Sequence, residues 1–105
     1  MSTTEAKFSV GQLIQHRMFD YRGVVIDVDP QFHGPEDWYN KMARSQPPKE
    51  KPWYHVLVDG SDVQTYVAER NLEPDPSRAS IQHPDISLHF EDFTPQGYLT
   101  RRKGN

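Results

Sequence analysis

The clearest pattern in the chain is a two-residue one. Val24-Val25-Ile26-Asp27-Val28-Asp29 is β-branched at every apolar position and stops at Pro30, which cannot donate to a sheet ladder. Simple alternation puts Val24, Ile26 and Val28 on one face and Val25, Asp27 and Asp29 on the other. Phe8 to Met18 alternates too, with Val10, Ile14 and Met18 opposed to Leu13, Gln15 and Arg17, and predicts a preceding strand. Asp20-Tyr21-Arg22-Gly23 between them reads as a tight hairpin turn, with Gly23 as its permissive residue. Two more strands are expected at Trp53 to Asp59 and Val63 to Ala68, joined by a turn at Gly60-Ser61. Glu69-Arg70-Asn71-Leu72 then reads as a short 3₁₀ turn leading into Pro74.

The period changes between Gln31 and Pro52, a stretch too long for a structureless connection in a compact domain. Pro35 suits a first helical position, and Glu36 and Asp37 suit a first turn. Trp38 with Met42, and Tyr39 with Ala43, are i,i+4 pairs, and Pro47-Pro48 prevents continuation. Beyond Asp75 two periods compete. Ile86, Phe90 and Phe93 have helical spacing, whereas Ile86, Leu88 and Phe90 alternate; Asp85 as a cap favours a short helix. The expected architecture is therefore mainly β: a small curled sheet or barrel over 8–75, with a helical insert at 31–52 between the second and third strands. A short C-terminal helix or tail follows, in an extension at 76–105 that is expected to be partly disordered.

Composition narrows the function classes. The 105 residues suit one domain, and 34% apolar residues with nine prolines imply a small core with much loop. The lack of cysteine removes disulfides, thiolate zinc sites and thiol catalysis together. No apolar run approaches the roughly 20 residues that span a bilayer. Met1 to Lys7 carries no apolar signal core, so no membrane partner and a cytoplasmic setting are expected. A net charge of −3 means that any nucleic-acid contact must rest on a local basic patch.

Candidate chemistry is thin. His16, His33, His55, His83 and His89 show no compact zinc spacing, and no serine sits in a nucleophile elbow. Asp27 and Asp29, about 7 Å apart on one strand face, form a carboxylate pair able to hold a divalent cation. A solvated outer face is the simpler reading. Neither catalysis, nor a metal, nor a cofactor is expected. The aromatic residues say more. Trp53 and His55 share a strand face, Tyr54 takes the other, and one of the two faces is free to be a recognition surface. Tyr21-Arg22 is expected to be exposed at the hairpin tip. The insert pairs Trp38, Tyr39 and Met42 with Lys41, Arg44, Lys49 and Lys51 against Glu36, Asp37 and Glu50, and reads as a docking element. The candidate contact residues are thus Tyr21, Arg22, Trp38, Tyr39, Lys41, Arg44, Trp53 and His55.

Two separated blocks carry a resemblance. Phe8-Ser9-Val10-Gly11-Gln12 through His16-Arg17, Tyr21-Arg22-Gly23-Val24-Val25 and Asp27-Val28-Asp29 form the first. Pro52-Trp53-Tyr54-His55-Val56-Leu57-Val58 and Thr65 through Leu72 form the second. In this order they resemble the YccV-like, or hemimethylated-DNA-binding, domain family, over roughly residues 8–75. The resemblance implies a small SH3-like β-barrel and no catalytic residues. It also implies two kinds of partner. One is hemimethylated DNA, from which the family takes its name. The other is the Lon protease and its substrates, because heat-shock members of the family are implicated in helping Lon degrade proteins such as the replication initiator DnaA. The acidic balance favours the protein partner. Exposed strand edges further suggest a homo-oligomer, with a trimer among the admissible states, in which Ile86, Leu88, Phe90 and Phe93 cover an edge.

Overall fold

A computed structural model describes residues 5–43 and 45–101. Seven strands run in chain order: β1 Leu13–His16, β2 Arg22–Asp29, β3 Trp53–Val58, β4 Gln64–Ala68, β5 Leu72–Pro74, β6 Phe90–Thr94 and β7 Gly97–Thr100. Helix α1, Glu36–Met42, lies between β2 and β3, and the four-residue α2, Ile86–His89, precedes β6. A 3₁₀ turn at Glu69–Asn71 joins β4 to β5. All pairings are antiparallel. The larger sheet has the order β4-β3-β2-β1-β5, and β6 pairs with β7. No β4–β5 pairing closes the sheet among the described residues.

The sheet curls around one cluster to which every one of its strands contributes. Ile14, Val25, Tyr54, Val56, Val67 and Leu72 meet there, sealed at one end by Phe8. The chain reaches this geometry through a bulge the alternation conceals. Pairing of β2 with β3 shifts between Val25 and Asp27, so Ile26 is an additional residue. In consequence Val25 and Val28 share the inner face, and Asp27 and Asp29 lie with Val24 on the outer one. That corrects the grouping of Val24, Ile26 and Val28.

The first reversal is also displaced. The turn occupies Arg17–Phe19 and closes at Asp20, whose φ of 65° lies in the left-handed region. Gly23 instead sits inside β2 opposite Val58. A Cβ there would lie 2.6 Å from the Leu57 carbonyl oxygen, so glycine serves close strand packing. Tyr21 and Arg22 consequently lie at the start of β2, half-buried, where exposure at a hairpin tip was expected.

The outer face of the sheet is covered in two halves. Over Leu13, Val24 and Leu57 the C-terminal segment packs Ile81, Phe90 and Tyr98. Over Trp53 and Ala68 the insert packs Tyr39 and Ala43, with Phe32, Trp38 and Tyr66 around them. Residues 76–101, expected to be a partly disordered extension, therefore supply core side chains and a hairpin. Phe90 and Phe93 belong to β6, and a pairing shift between Phe90 and Asp92 breaks the alternation that would have marked the strand. Gly11 and Gly97 lie back to back: Tyr98 N–H donates to the Gly11 carbonyl at 2.8 Å, and a Cβ on Gly97 would stand 2.6 Å from that oxygen. No helix among the described residues is long and apolar enough to cross a membrane.

Candidate functional site

A groove of about 880 Å³ runs along β4. Thr65, Tyr66, Val67 and Ala68 form its floor. Met18 and Phe19 of the β1–β2 turn form one wall; Trp38 and Met42 of α1 form the other. Four of the eight large apolar side chains exposed among the described residues, Met18, Phe19, Met42 and Val63, line this single groove. Apolar surface is therefore gathered here, which singles the groove out from scattered exposed residues. Among the described residues Lys41 is its only lysine or arginine, and no carboxylate lines it.

The turn wall is built by His16, which is 4% exposed. Its Nδ1 accepts the backbone N–H groups of Met18 and Phe19, both at 3.1 Å, and its ring stacks on Phe19 at 4.6 Å. An Nδ1 holding two N–H groups carries no proton. Burial acts in the same direction and pushes the imidazole pKa below its ordinary value. The Tyr21 hydroxyl, 2.8 Å from Thr65 Oγ1, ties the turn to β4, and burial raises its pKa.

The helical wall is held by an aromatic cluster centred on Phe32. Its ring lies 4.9 Å from Trp53, 5.2 Å from Tyr39, 5.9 Å from Tyr66 and 6.0 Å from Trp38. Such edge, tilted and stacked contacts add about 0.5–1.5 kcal/mol each beyond area burial. Tyr39 donates its hydroxyl hydrogen to the Pro47 carbonyl at 2.6 Å, and Trp53 Nε1 donates to the Pro48 carbonyl at 3.1 Å. Lys49 lies 4.3 Å over the Tyr39 ring and pairs with Glu36 at 2.6 Å. The doublet Pro47-Pro48 thus does more than stop a helix: its two free carbonyls receive the polar ends of the aromatic cluster.

Asp27, Asp29 and His55 bring three potential metal donors within 4.8 Å of one another. Their bonds point to another role. Tyr66 donates to Asp29 Oδ2 at 2.6 Å, and His55 Nε2 lies 3.3 Å from the same oxygen. The Tyr66 oxygen accepts the His33 N–H at 2.9 Å. Burial, followed by the bond to Asp29, pushes the Tyr66 hydroxyl far above its ordinary pKa. Asp29 therefore holds a neutral phenol in place in the groove floor. Asp27 is exposed and accepts the Val28 N–H at 2.9 Å.

Of the residues nominated from sequence, Tyr21, Trp38, Lys41, Trp53 and His55 are brought together here. Trp53 is 1% exposed and backs the floor. Tyr39 is buried beneath the helix. Arg22 serves the opposite half of the sheet. Its Nε donates to Asp75 at 2.8 Å, its Nη1 to Asp59 at 2.9 Å, and its Nη2 to the Ala79 carbonyl. Arg44 lies outside the described residues. Sequence reasoning missed His16, Met18, Phe19 and Val63. The available signal was Met18-Phe19, an apolar pair inside a turn beside Asp20, where polar residues are the rule.

The family model described as YccV-like, hemimethylated DNA-binding protein YccV like, covers residues 6–97. The match runs past Asp75 through the segment that covers the sheet and ends at the start of β7.

Proposed function

The chain belongs to the YccV-like family, and from that premise we propose that it is an HspQ-like protein-binding factor. In this reading it promotes degradation of specific or denatured proteins, such as DnaA, by the Lon protease in the cytoplasm, and it has no catalytic activity of its own. The observation that carries the reading is the apolar groove, in which Lys41 is the single fixed charge among the described residues. A duplex is held mainly through its phosphates, so several lysines and arginines must face it at once. An apolar groove rimmed with aromatics suits a polypeptide. Among the described residues several basic side chains elsewhere are engaged: Arg17 with Glu73, Arg22 with Asp59 and Asp75, Lys49 with Glu36. Strand order β4-β3-β2-β1-β5, with one 3₁₀ turn between β4 and β5, also supports an SH3-like barrel.

The test uses purified Lon and a denatured substrate. Degradation should run several-fold faster with the protein present than without it. An unchanged rate overturns the reading. A gel shift at about physiological salt examines the DNA binding from which the family takes its name. Tight binding that depends on hemimethylation would replace a protein partner with DNA.

A further inference from the structure

Resting on the protein-binding reading, we infer that the groove takes an extended segment of an unfolded polypeptide, which pairs with β4 as a sixth strand. The first observation is the direction of the β4 backbone. Val58 N–H donates to the Val63 carbonyl at 3.0 Å, and Glu69 N–H donates to the Pro52 carbonyl at 3.1 Å. In an antiparallel ladder, bonded and non-bonded pairs alternate. With Tyr54 opposite Val67 and Val56 opposite Thr65, the β4 residues bonded to β3 are Thr65 and Val67. The N–H and C=O groups of Gln64 and Tyr66 therefore point away from the sheet. No turn, loop or side-chain hydrogen bond among the described residues engages them.

The second observation is that this edge is undefended. Native edges are blunted by short length, proline or charge. The opposite edge follows that rule: β5 has three residues, ends at Pro74, and carries the Arg17–Glu73 pair. β4 has five residues with neither proline nor charge, Gln64-Thr65-Tyr66-Val67-Ala68. Met18 and Phe19 flank it on one side, Trp38 and Met42 on the other.

The third observation is the two walls. An extended chain sends successive side chains to opposite faces, about 3.4 Å apart along the strand. One added strand thus meets both walls with alternate residues while its backbone answers Gln64 and Tyr66. A helix lying in the groove would leave those backbone groups unpaired. A second copy of the chain would bring its own pair of walls to the same edge, so a single unpaired strand is the better fit. The occupant is a stretch of about five residues whose large apolar side chains, at alternate positions, meet one wall while the residues between them meet the other. Lys41 at the rim favours an acidic flank over a basic one.

The test uses a fluorescein-labelled peptide, Glu-Val-Thr-Leu-Thr-Val-Glu, and anisotropy. It also uses the same peptide N-methylated at alternate residues, in two versions that each block one edge while keeping every side chain. Binding should fall at least tenfold for one N-methylated version. Gln64→Pro, which removes an outward donor without touching the β3 ladder, should lower affinity about tenfold at an unchanged melting temperature. Met42→Ser should weaken binding several-fold. Equal binding of the parent and both N-methylated peptides overturns strand addition, as does full affinity in folded Gln64→Pro. Light scattering that shows Gln64→Pro dissolving an oligomer, with no effect on peptide binding, would make the edge a self-contact and equally overturn it. If the peptide fails to bind while Lon still degrades its substrate faster, strand addition falls and the functional reading stands. Peptide binding with an unchanged Lon rate gives the reverse.

Discussion

One face of the sheet carries two covers, and they are closed in different ways. The C-terminal cover is locked at both ends. Arg22 reaches from β2 to Asp59, Asp75 and the Ala79 carbonyl, and Gly11 meets Gly97 backbone to backbone. The insert cover is locked on one side only. Its aromatic cluster fixes α1 over Trp53, yet Met42 remains 66% exposed at the margin and β4 is left as an edge. Both covers bury aromatic rings on the same sheet, so aromatic content alone does not separate scaffold from site. What separates them is anchoring: the C-terminal cover is tied down at both ends, whereas the insert cover is held over Trp53 and leaves β4 as an edge.

The comparison makes predictions of decreasing size. Tyr39→Ala should cost about 3–5 kcal/mol in urea unfolding, because it empties a buried site beneath the helix. Tyr39 would then act as scaffold beneath the helix, apart from any docking role of the insert. A loss under about 1 kcal/mol would mean that the insert is a loose flap. Arg22→Ala should cost about 3 kcal/mol, since it strands the Asp75 carboxylate, whose side chain is only 2% exposed. Peptide affinity should survive it under folding conditions, because Arg22 lies off the groove; a tenfold loss of affinity would couple the two covers. Burial raises the Asp75 pKa, but hydrogen bonds from Arg22 and Ser77 outweigh it and leave the pKa below its ordinary value of 3.8. The stabilisation from this pair is thus full above that value and is lost as the pH falls through the lowered one.

Exposed side chains sharpen the contrast at smaller cost. Met42→Ala and Leu88→Ala replace residues that are 66% and 70% exposed, and each should shift stability by no more than about 0.5 kcal/mol. Only Met42→Ala should weaken peptide binding; equal effects would remove the distinction between the covers. The smallest effect concerns His16. Its folded pKa is depressed below the ordinary value of 6.5, so the unfolded chain binds the proton more readily. Stability should be intact above pH 6.5 and should decline as the pH falls from there through the lowered folded value. His16→Asn, which keeps an acceptor without the titration, should flatten that slope in urea midpoints, and a persistent slope would assign it to another group.

Much of the scaffold was legible, and the reasons are local. Val24 to Asp29 and Trp53 to Val58 declare strands through β-branching and alternation. Pro35, the acidic first turn and the i,i+4 aromatic pairs declare α1. The face of each β2 residue was misassigned because a bulge at Ile26 leaves no mark in side-chain type. Another irregularity hid the β6–β7 hairpin. For the site, Trp38, Lys41, Trp53 and His55 stood out as aromatic or basic residues in promising settings, whereas Phe32 and His16 gave little sign of their importance as the hubs of the two walls.

By itself the sequence determined the periods, the breaks between them and the absence of thiol chemistry, because these depend on residue type and near neighbours. Tertiary structure decided which strand became an edge and which side chains gathered along it. Met18 and Phe19, Trp38 and Met42, and β4 are far apart in the chain; they meet because β4 lies outermost in the order β4-β3-β2-β1-β5 and the insert stops before covering it. An unpaired N–H is a property of where the neighbouring strand ends, and no side chain records it.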